Sequence, residues 1–235
     1  MKRFRTGMQT MGVADKKRRR HFLITAGGTR EYIDPVRFLS NASSGKMGYA
    51  LADVALKAGH KVTLITTLEK LKVKSKKLKL RVVQVGTAKE MFVAVKRFFS
   101  KCDCLIMAAA VADYTPVRKS KVKIKKAKKG LIIRLKPTTD ILKWAGRHKK
   151  VKSEKVKGKR QQIVVGFALE DKNLRANAEK KLKEKRLDMI IANTPAEIGS
   201  DSAAVQIKTP GHKWLKLPRQ NKGTTARKII AMLAR

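Results

Sequence analysis

Ile33-Asp34-Pro35-Val36-Arg37-Phe38-Leu39-Ser40-Asn41-Ala42-Ser43-Ser44-Gly45-Lys46-Met47-Gly48 is the stretch on which the reading of this chain turns. An apolar run, Phe22-Leu23-Ile24-Thr25, precedes it and ends in the small-residue turn Ala26-Gly27-Gly28-Thr29-Arg30. After it, Ala50, Leu51, Val54, Ala55 and Ala58 recur at helical spacing. A long polar loop therefore separates a first strand from a first helix. Anionic ligands bind at such a place in an open α/β sheet, because strand carboxyl ends and helix amino ends meet there. Beyond Asp34 the loop carries no acid. It offers Arg37, Asn41, Ser43, Ser44, Lys46 and the backbone N–H groups freed by Gly45 and Gly48, an inventory suited to phosphate and carboxylate oxygens.

Two phosphate signatures fail on this loop. A P-loop needs glycine five residues before the Gly-Lys pair and Ser or Thr after it, where this chain has Ser40 and Met47. The dinucleotide fingerprint needs a third glycine where Ser43 stands, and an acid after the second strand where Ile65-Thr66-Thr67 stands. A nicotinamide cofactor is therefore disfavoured. Spacing alone is equally consistent with a solvated loop and an ordinary helix cap.

The rest of the chain alternates strands and helices. The pattern predicts strands at Phe22–Thr25, Lys61–Thr66, Leu80–Val85, Cys104–Ala110, Gln162–Leu169 and Leu187–Asn193. It predicts helices at Gly48–Ala58, from Thr87 (a capping box with Glu90), at Asn177–Lys185 and at Thr224–Leu233. Lys121–Lys126 and Leu131–Leu135, bent at Gly130, alternate as a β-hairpin would, with Lys121, Lys123 and Lys125 on one face. Thr138 or Thr139 is expected to cap the helix after Pro137. Ala203–Lys208 and Lys213–Leu217 form a closing antiparallel pair around Pro210-Gly211. The fold expected is α/β, Rossmann-like and doubly wound, with a mostly parallel sheet and a lysine-rich flap at about 115–136. Residues 21–235 form one domain, and 1–20 a loose basic tail in which Met8 and Met11 are alternative starts.

Composition narrows the function classes. With 235 residues and 43% apolar content, the chain can bury a sizeable core. No apolar run approaches the ~20 residues of a membrane helix. The net charge of +41 attracts polyanions without any designed site, so a nucleic-acid-binding protein on a Rossmann-like scaffold is the alternative reading. The basic residues are spread along the chain and form no base-reading motif, which favours an enzyme with a basic surface. Cys102 and Cys104, with scattered histidines, lack the ligand set of a metal site and read as reduced thiols of a cytoplasmic protein.

Ile24-Thr25-Ala26-Gly27-Gly28-Thr29-Arg30-Glu31, Asp34-Pro35-Val36-Arg37 through Gly48, and Ala109-Ala110-Val111-Ala112-Asp113-Tyr114 resemble phosphopantothenoylcysteine synthetase, the ligase of coenzyme A biosynthesis. Lys123-Ile124-Lys125-Lys126, Pro137 to Leu142, and Gly166-Phe167-Ala168-Leu169-Glu170 extend the likeness across nearly the whole chain, with the Thr138-Thr139 pair as a departure. The resemblance implies a ligase joining 4′-phosphopantothenate to cysteine through an acyl-cytidylate, with CTP as co-substrate and Mg²⁺ as cofactor, though it fixes no metal ligands. It implies that Lys123 acts in the first transfer, that Asn41 holds the acyl-nucleotide, and that Arg37 serves the cysteine-dependent step. Ala109, Asp113, Lys123, Phe167, Lys181 and Lys185 would hold the nucleotide. Gly27, Ser43, Ser44, Gly45 and Ala110 would hold phosphate and substrate. A homodimer is expected, and no flavin, the decarboxylase step falling to a separate protein.

Overall fold

The structure, a computed structural model, describes residues 19–68, 80–126, 128, 130–150 and 161–234. Most of the expected basic tail, and the Lys-rich stretches 69–79 and 151–160, lie outside the described residues. In chain order come β1 (His21–Ala26), β2 (Arg30–Tyr32), β3 (Phe38–Ser40), α1 (Lys46–Lys57), β4 (Lys61–Thr66), β5 (Leu80–Gln84), α2 (Ala88–Phe99) and β6 (Cys104–Met107). Then follow β7 (Tyr114–Pro116), β8 (Leu135–Pro137), α3 (Ile141–His148), β9 (Ile163–Leu169), α4 (Leu174–Glu184) and β10 (Met189–Asn193). A 3₁₀ turn at Pro195–Glu197, β11 (Ser202–Lys208), β12 (Leu215–Asn221) and α5 (Lys222–Leu233) close the chain.

Eight strands form one sheet in the order β12-β11-β10-β9-β6-β1-β4-β5. β5, β4, β1, β6, β9 and β10 are parallel, and β11 and β12 add an antiparallel edge. The parallel strands read as branched apolar runs because both of their faces are covered. On one face, Leu51, Ala55, Ile229 and Ile230 of α1 and α5 pack on Phe22, Ile24 and Ile191. On the other, Met91, Val95, Leu142 and Leu182 of α2, α3 and α4 pack on Leu23, Leu105 and Ile190. Each fully buried Leu, Ile, Val, Phe or Met side chain contributes roughly 1.5–3 kcal/mol.

From β1 the chain winds outward through β4 and β5. It then returns to β6 on the other side of β1 and winds through β9 and β10. The order reverses between β1 and β6, and a crevice opens there at the strand carboxyl ends.

Gly48 lets α1 lie directly on β1. A Cβ there would fall 2.6 Å from the Ala26 Cβ and 2.9 Å from the Thr25 carbonyl oxygen. The Thr87–Glu90 capping box forms as expected.

Three expectations need correction. The flap is paired only at its base, where β7 meets β8; among the described residues of 121–134 there is no strand. An isolated two-stranded ribbon is marginal without a face to bury, and here Val122 is 72% and Ile132 is 90% exposed. Instead, the Ile124 N–H donates to Asp34 Oδ2 at 3.1 Å, and its carbonyl accepts from Arg37 Nη1 at 2.9 Å. Asp140, not a threonine, caps α3, accepting from the Lys143 N–H at 2.8 Å. Thr138 turns its hydroxyl to the Ala112 carbonyl at 2.6 Å. The polar loop, finally, contains a small antiparallel pair, β2 with β3.

Candidate active site

The crevice between β1 and β6 is a cleft of about 690 Å³. Its floor is the carboxyl end of β6, where Ala108, Ala109 and Ala110 keep side-chain bulk low. The Ala109 N–H donates to Thr25 Oγ1 at 3.1 Å, and Ala110 exchanges backbone bonds with Gly27 and Thr29. The floor is thus tied to β1 before any ligand arrives.

One wall is the loop into α1. Gly45 holds φ +70° as the N-cap and supplies no side chain to the first turn. The amino end of α1, like that of α4, has no side-chain cap and is left open to an anion, whereas α2, α3 and α5 are capped by Thr87, Asp140 and Asn221. Ser43 and Ser44 line the cleft beside it. Asn41 also lines it, with Nδ2 donating 3.2 Å to the Val111 carbonyl, so its amide is pinned against the Ala-rich segment.

The opposite wall carries the α4 lysines. Lys181 and Lys185 both line the cleft, as does Phe167 from β9. Each lysine is held by a carboxylate: Lys181 by Glu170 at 2.5 Å and Lys185 by Asp140 at 2.9 Å. Asn177 fixes the other Glu170 oxygen at 2.9 Å. Asp113 is exposed at the rim, and its backbone carbonyl, not its carboxylate, takes the Thr138 N–H at 2.8 Å.

The cleft therefore gathers Asn41, Ser43, Ser44, Gly45, Ala109, Ala110, Asp113, Phe167, Lys181 and Lys185. Gly27 stands just beneath it: a Cβ on Gly45 would meet its nitrogen at 3.2 Å. Arg37 and Lys123 are not among the lining residues. Arg37 pairs with Asp34 at 2.6 Å, and Lys123 is exposed on the flap next to the anchored Ile124. Pattern reading missed Asp140, Asn193, Glu197 and Lys222 as cleft residues. Only the position of Asp140 before an apolar helix carried a local signal, that of a cap. Cys102 and Cys104 are buried free thiols, and burial pushes both up, Cys102 to about 12, which disfavours the thiolate in each.

The sequence profile of the family described as "DNA/pantothenate metabolism flavoprotein C-terminal domain" matches residues 17–235. This chain belongs to that family. It is 40% identical over 220 residues to the coenzyme A biosynthesis bifunctional protein CoaBC of Bacillus subtilis, covering 92% of this chain and 51% of the relative. It is 41% identical over 215 residues to a protein of an unknown prokaryotic organism named cysteine/cysteine sulfinic acid decarboxylase, covering 90% and 57%. The chain thus spans about half the length of the curated relatives it matches. Among solved structures, the C-terminal domain of a CoaBC protein superposes with a TM-score of 0.74 at 36% identity, covering 94% of this chain and 97% of that one. A Cab2 mutant in complex with phosphopantothenate-cysteine shares the fold, with a TM-score of 0.70 at 19% identity over 92% and 87%. No helix among the described residues is long and apolar enough to cross a membrane.

Proposed function

We propose that this domain joins 4′-phosphopantothenate to L-cysteine in coenzyme A biosynthesis, using CTP. The observation that carries the reading is the cleft itself, which sets an uncapped helix end and Asn41 opposite the Lys181 and Lys185 ammonium groups. A carboxylate oxygen of the pantothenate attacks the α-phosphorus, the bond to the β-phosphate bridge breaks, and pyrophosphate leaves. The cysteine amine then attacks the acyl carbon, loses a proton, and CMP departs. Two anions must meet in the first step, so the site's work is positioning and charge neutralisation.

In this reading Asn41 orients the acyl carbonyl, and Ser43, Ser44 and Gly45, with Gly27 and Ala110 beneath, hold phosphate. Ala109, Asp113, Phe167, Lys181 and Lys185 hold the nucleotide. Lys123 acts in the first transfer and Arg37 in the second. That requires the flap with Lys123 and the β2–β3 turn with Arg37 to close over the cleft, or a second copy to supply them. A homodimer suits the surface: Val36, Phe38, Tyr114, Val117, Ile132 and Leu135 are large, apolar and exposed on or near the two small sheets, which touch each other. Mg²⁺ typically takes few protein carboxylates and keeps substrate phosphates as ligands. Asp113, exposed at the rim of the cleft, suits an ion that arrives on the triphosphate, where it would neutralise charge. A pyrophosphate-release assay with phosphopantothenate, CTP and cysteine, each omitted in turn, tests the reading. Release must need the acid and CTP, and CMP formation must need cysteine; release with ATP but not CTP would remove the nucleotide assignment.

A further inference from the structure

The cleft holds a second pair of cations, Lys46, already one of the loop's anion donors, and Lys222, which no motif marks. Lys46 is the first residue of α1, and Lys222 is the first residue of α5. The two helices pack side by side on the sheet face opposite α3 and α4. Lys46 and Lys222 therefore reach the cleft from one helical layer, and Lys181 and Lys185 from the other.

The two pairs are partnered differently. Lys181 and Lys185 are each satisfied by a carboxylate of their own. Lys46 pairs with one exposed carboxylate, and Lys222 makes no ion pair among the described residues. Lys46 Nζ lies 2.6 Å from Asp201 Oδ1 and donates to the Gly199 carbonyl at 2.9 Å. Lys222 Nζ donates to the Glu197 backbone carbonyl at 3.3 Å, while its N–H donates to the Asp201 carbonyl at 2.9 Å. The Asp201 side chain is 88% exposed, next to a turn in which Gly199 takes φ +74°. Burial, then the Lys46 charge, push the Lys222 ammonium down, so positive charge is crowded here. The Asp201 and then the Glu197 charges offset this only in part: Glu197 Oε1 is 3.3 Å from Arg219, and its buried Oε2 has no hydrogen-bond partner among the described residues.

The geometry points to a phosphoryl-binding subsite formed by Lys46 and Lys222, occupied in this structure by the protein's own Asp201 carboxylate. Two ammonium groups at two helix amino ends match a group with two or more negative charges better than they match one carboxylate. An exposed ion pair is weakly held, so Asp201 can yield to a polyvalent anion. The inference rests on reading the cleft as a site for phosphorylated substrates. Such a group has two sources: the diphosphate end of the nucleotide, or the phosphate of the acid substrate.

Titration of the full chain with pyrophosphate, and separately with 4′-phosphopantothenate, at physiological ionic strength and followed by ³¹P NMR, tests it. Lys46→Gln and Lys222→Gln should each weaken one of the two ligands about tenfold, the loss of one charge-assisted contact. Lys46→Arg and Lys222→Arg should restore most of it. Asp201→Asn should tighten the same ligand several-fold, because the internal competitor is gone. Lys57→Gln, at the far end of α1, should change nothing. Loss confined to pyrophosphate assigns the subsite to the nucleotide, and loss confined to phosphopantothenate assigns it to the acid. If folded Lys46→Gln and Lys222→Gln proteins bind both ligands as the wild type does, or if Asp201→Asn fails to tighten binding, the subsite is overturned. None of these titrations needs turnover, so an inactive ligase and an absent subsite give different results.

Discussion

The Asp34 carboxylate and the Arg37 guanidinium, 2.6 Å apart, form the knot that fastens the flap to the body of the domain. Asp34 is fully buried and also takes the N–H groups of Val36 at 2.8 Å, Arg37 at 2.8 Å and Ile124 at 3.1 Å. Burial alone would raise its carboxyl, but those N–H groups and the Arg37 charge outweigh it and hold it at about 2. The unfolded chain therefore takes up this proton first, near the ordinary 3.8. The stabilisation is complete above that value and is lost as pH falls toward 2. Asp34→Asn should flatten the acid limb of the stability curve across that window. At neutral pH it should also speed proteolytic nicking at the flap lysines. An unchanged acid limb in urea titrations would show that Asp34 is not the group responsible.

Gly48→Ala sets two known effects against each other. Alanine favours a helix over glycine by about 1 kcal/mol. Here, however, the added Cβ meets the Ala26 Cβ at 2.6 Å and the Thr25 carbonyl at 2.9 Å, and neither is the end of a flexible side chain. Overpacking of this kind typically destabilises by about 1–3 kcal/mol. The clash should win, lowering the urea midpoint and weakening CTP binding because the helix end at Gly45 shifts with α1. A midpoint equal to or above wild type would mean that α1 is free to rise from the sheet.

If the proposed reaction is right, Asn41→Asp should separate its two half-reactions. The side chain is fixed by its 3.2 Å bond to the Val111 carbonyl, which a carboxylate cannot donate to. Losing one donor aimed at a reacting carbonyl typically slows a step by ~10²–10³. Pyrophosphate release should persist at a reduced rate while acyl-cytidylate accumulates, as read by rapid quench and chromatography. Normal turnover would take Asn41 out of the mechanism. Lys123→Gln should instead suppress pyrophosphate release itself.

How far the sequence reaches can be judged from Lys123 and Lys181. The six parallel strands and their helices were legible because branched apolar runs and 3.6-residue periodicity report burial directly. The cleft followed, since Asn41 and Ser43 in the loop into α1 and Ala109 after β6 lie where the topology brings strand carboxyl ends and helix amino ends together. The Lys121–Leu135 alternation misled, because period two shows what a segment could pair with and not whether anything covers it. Periodicity alone left Lys181 on a solvated face; the family resemblance singled it out, and the fold sets Glu170 beside it. Lys222 was invisible because its neighbour Lys46 is remote along the chain, and no local pattern encodes a meeting of two helix ends.

Asp140→Ala tests how the α4 wall is set. Asp140 both caps α3 through the Lys143 N–H at 2.8 Å and holds Lys185 at 2.9 Å. Removing the cap should cost about 1 kcal/mol of stability. Asp140→Asn keeps a cap acceptor and loses most of the charge pairing, so it should cost much less. If Lys185 works on phosphate, both variants should alter the KM for CTP alike despite their different stabilities. A KM that tracks stability would instead mean that Asp140 acts only by holding up α3.

The +41 charge makes the polyanion reading testable against the cleft. Binding of duplex or RNA to a surface of scattered lysines should fall steeply between ~50 and ~200 mM salt, as counterion release requires. Asn41→Asp and Lys181→Gln should leave that binding nearly unchanged, since each alters the overall charge by only one. CTP binding should behave in the opposite way, with one site per chain, modest salt dependence, and a loss of about tenfold in Lys181→Gln. Fluorescence anisotropy with a labelled oligonucleotide, beside equilibrium dialysis with CTP, gives both measurements. If the oligonucleotide saturates at one site, resists salt and is lost in the Lys181 variant, the cleft belongs to nucleic acid and the ligase assignment falls.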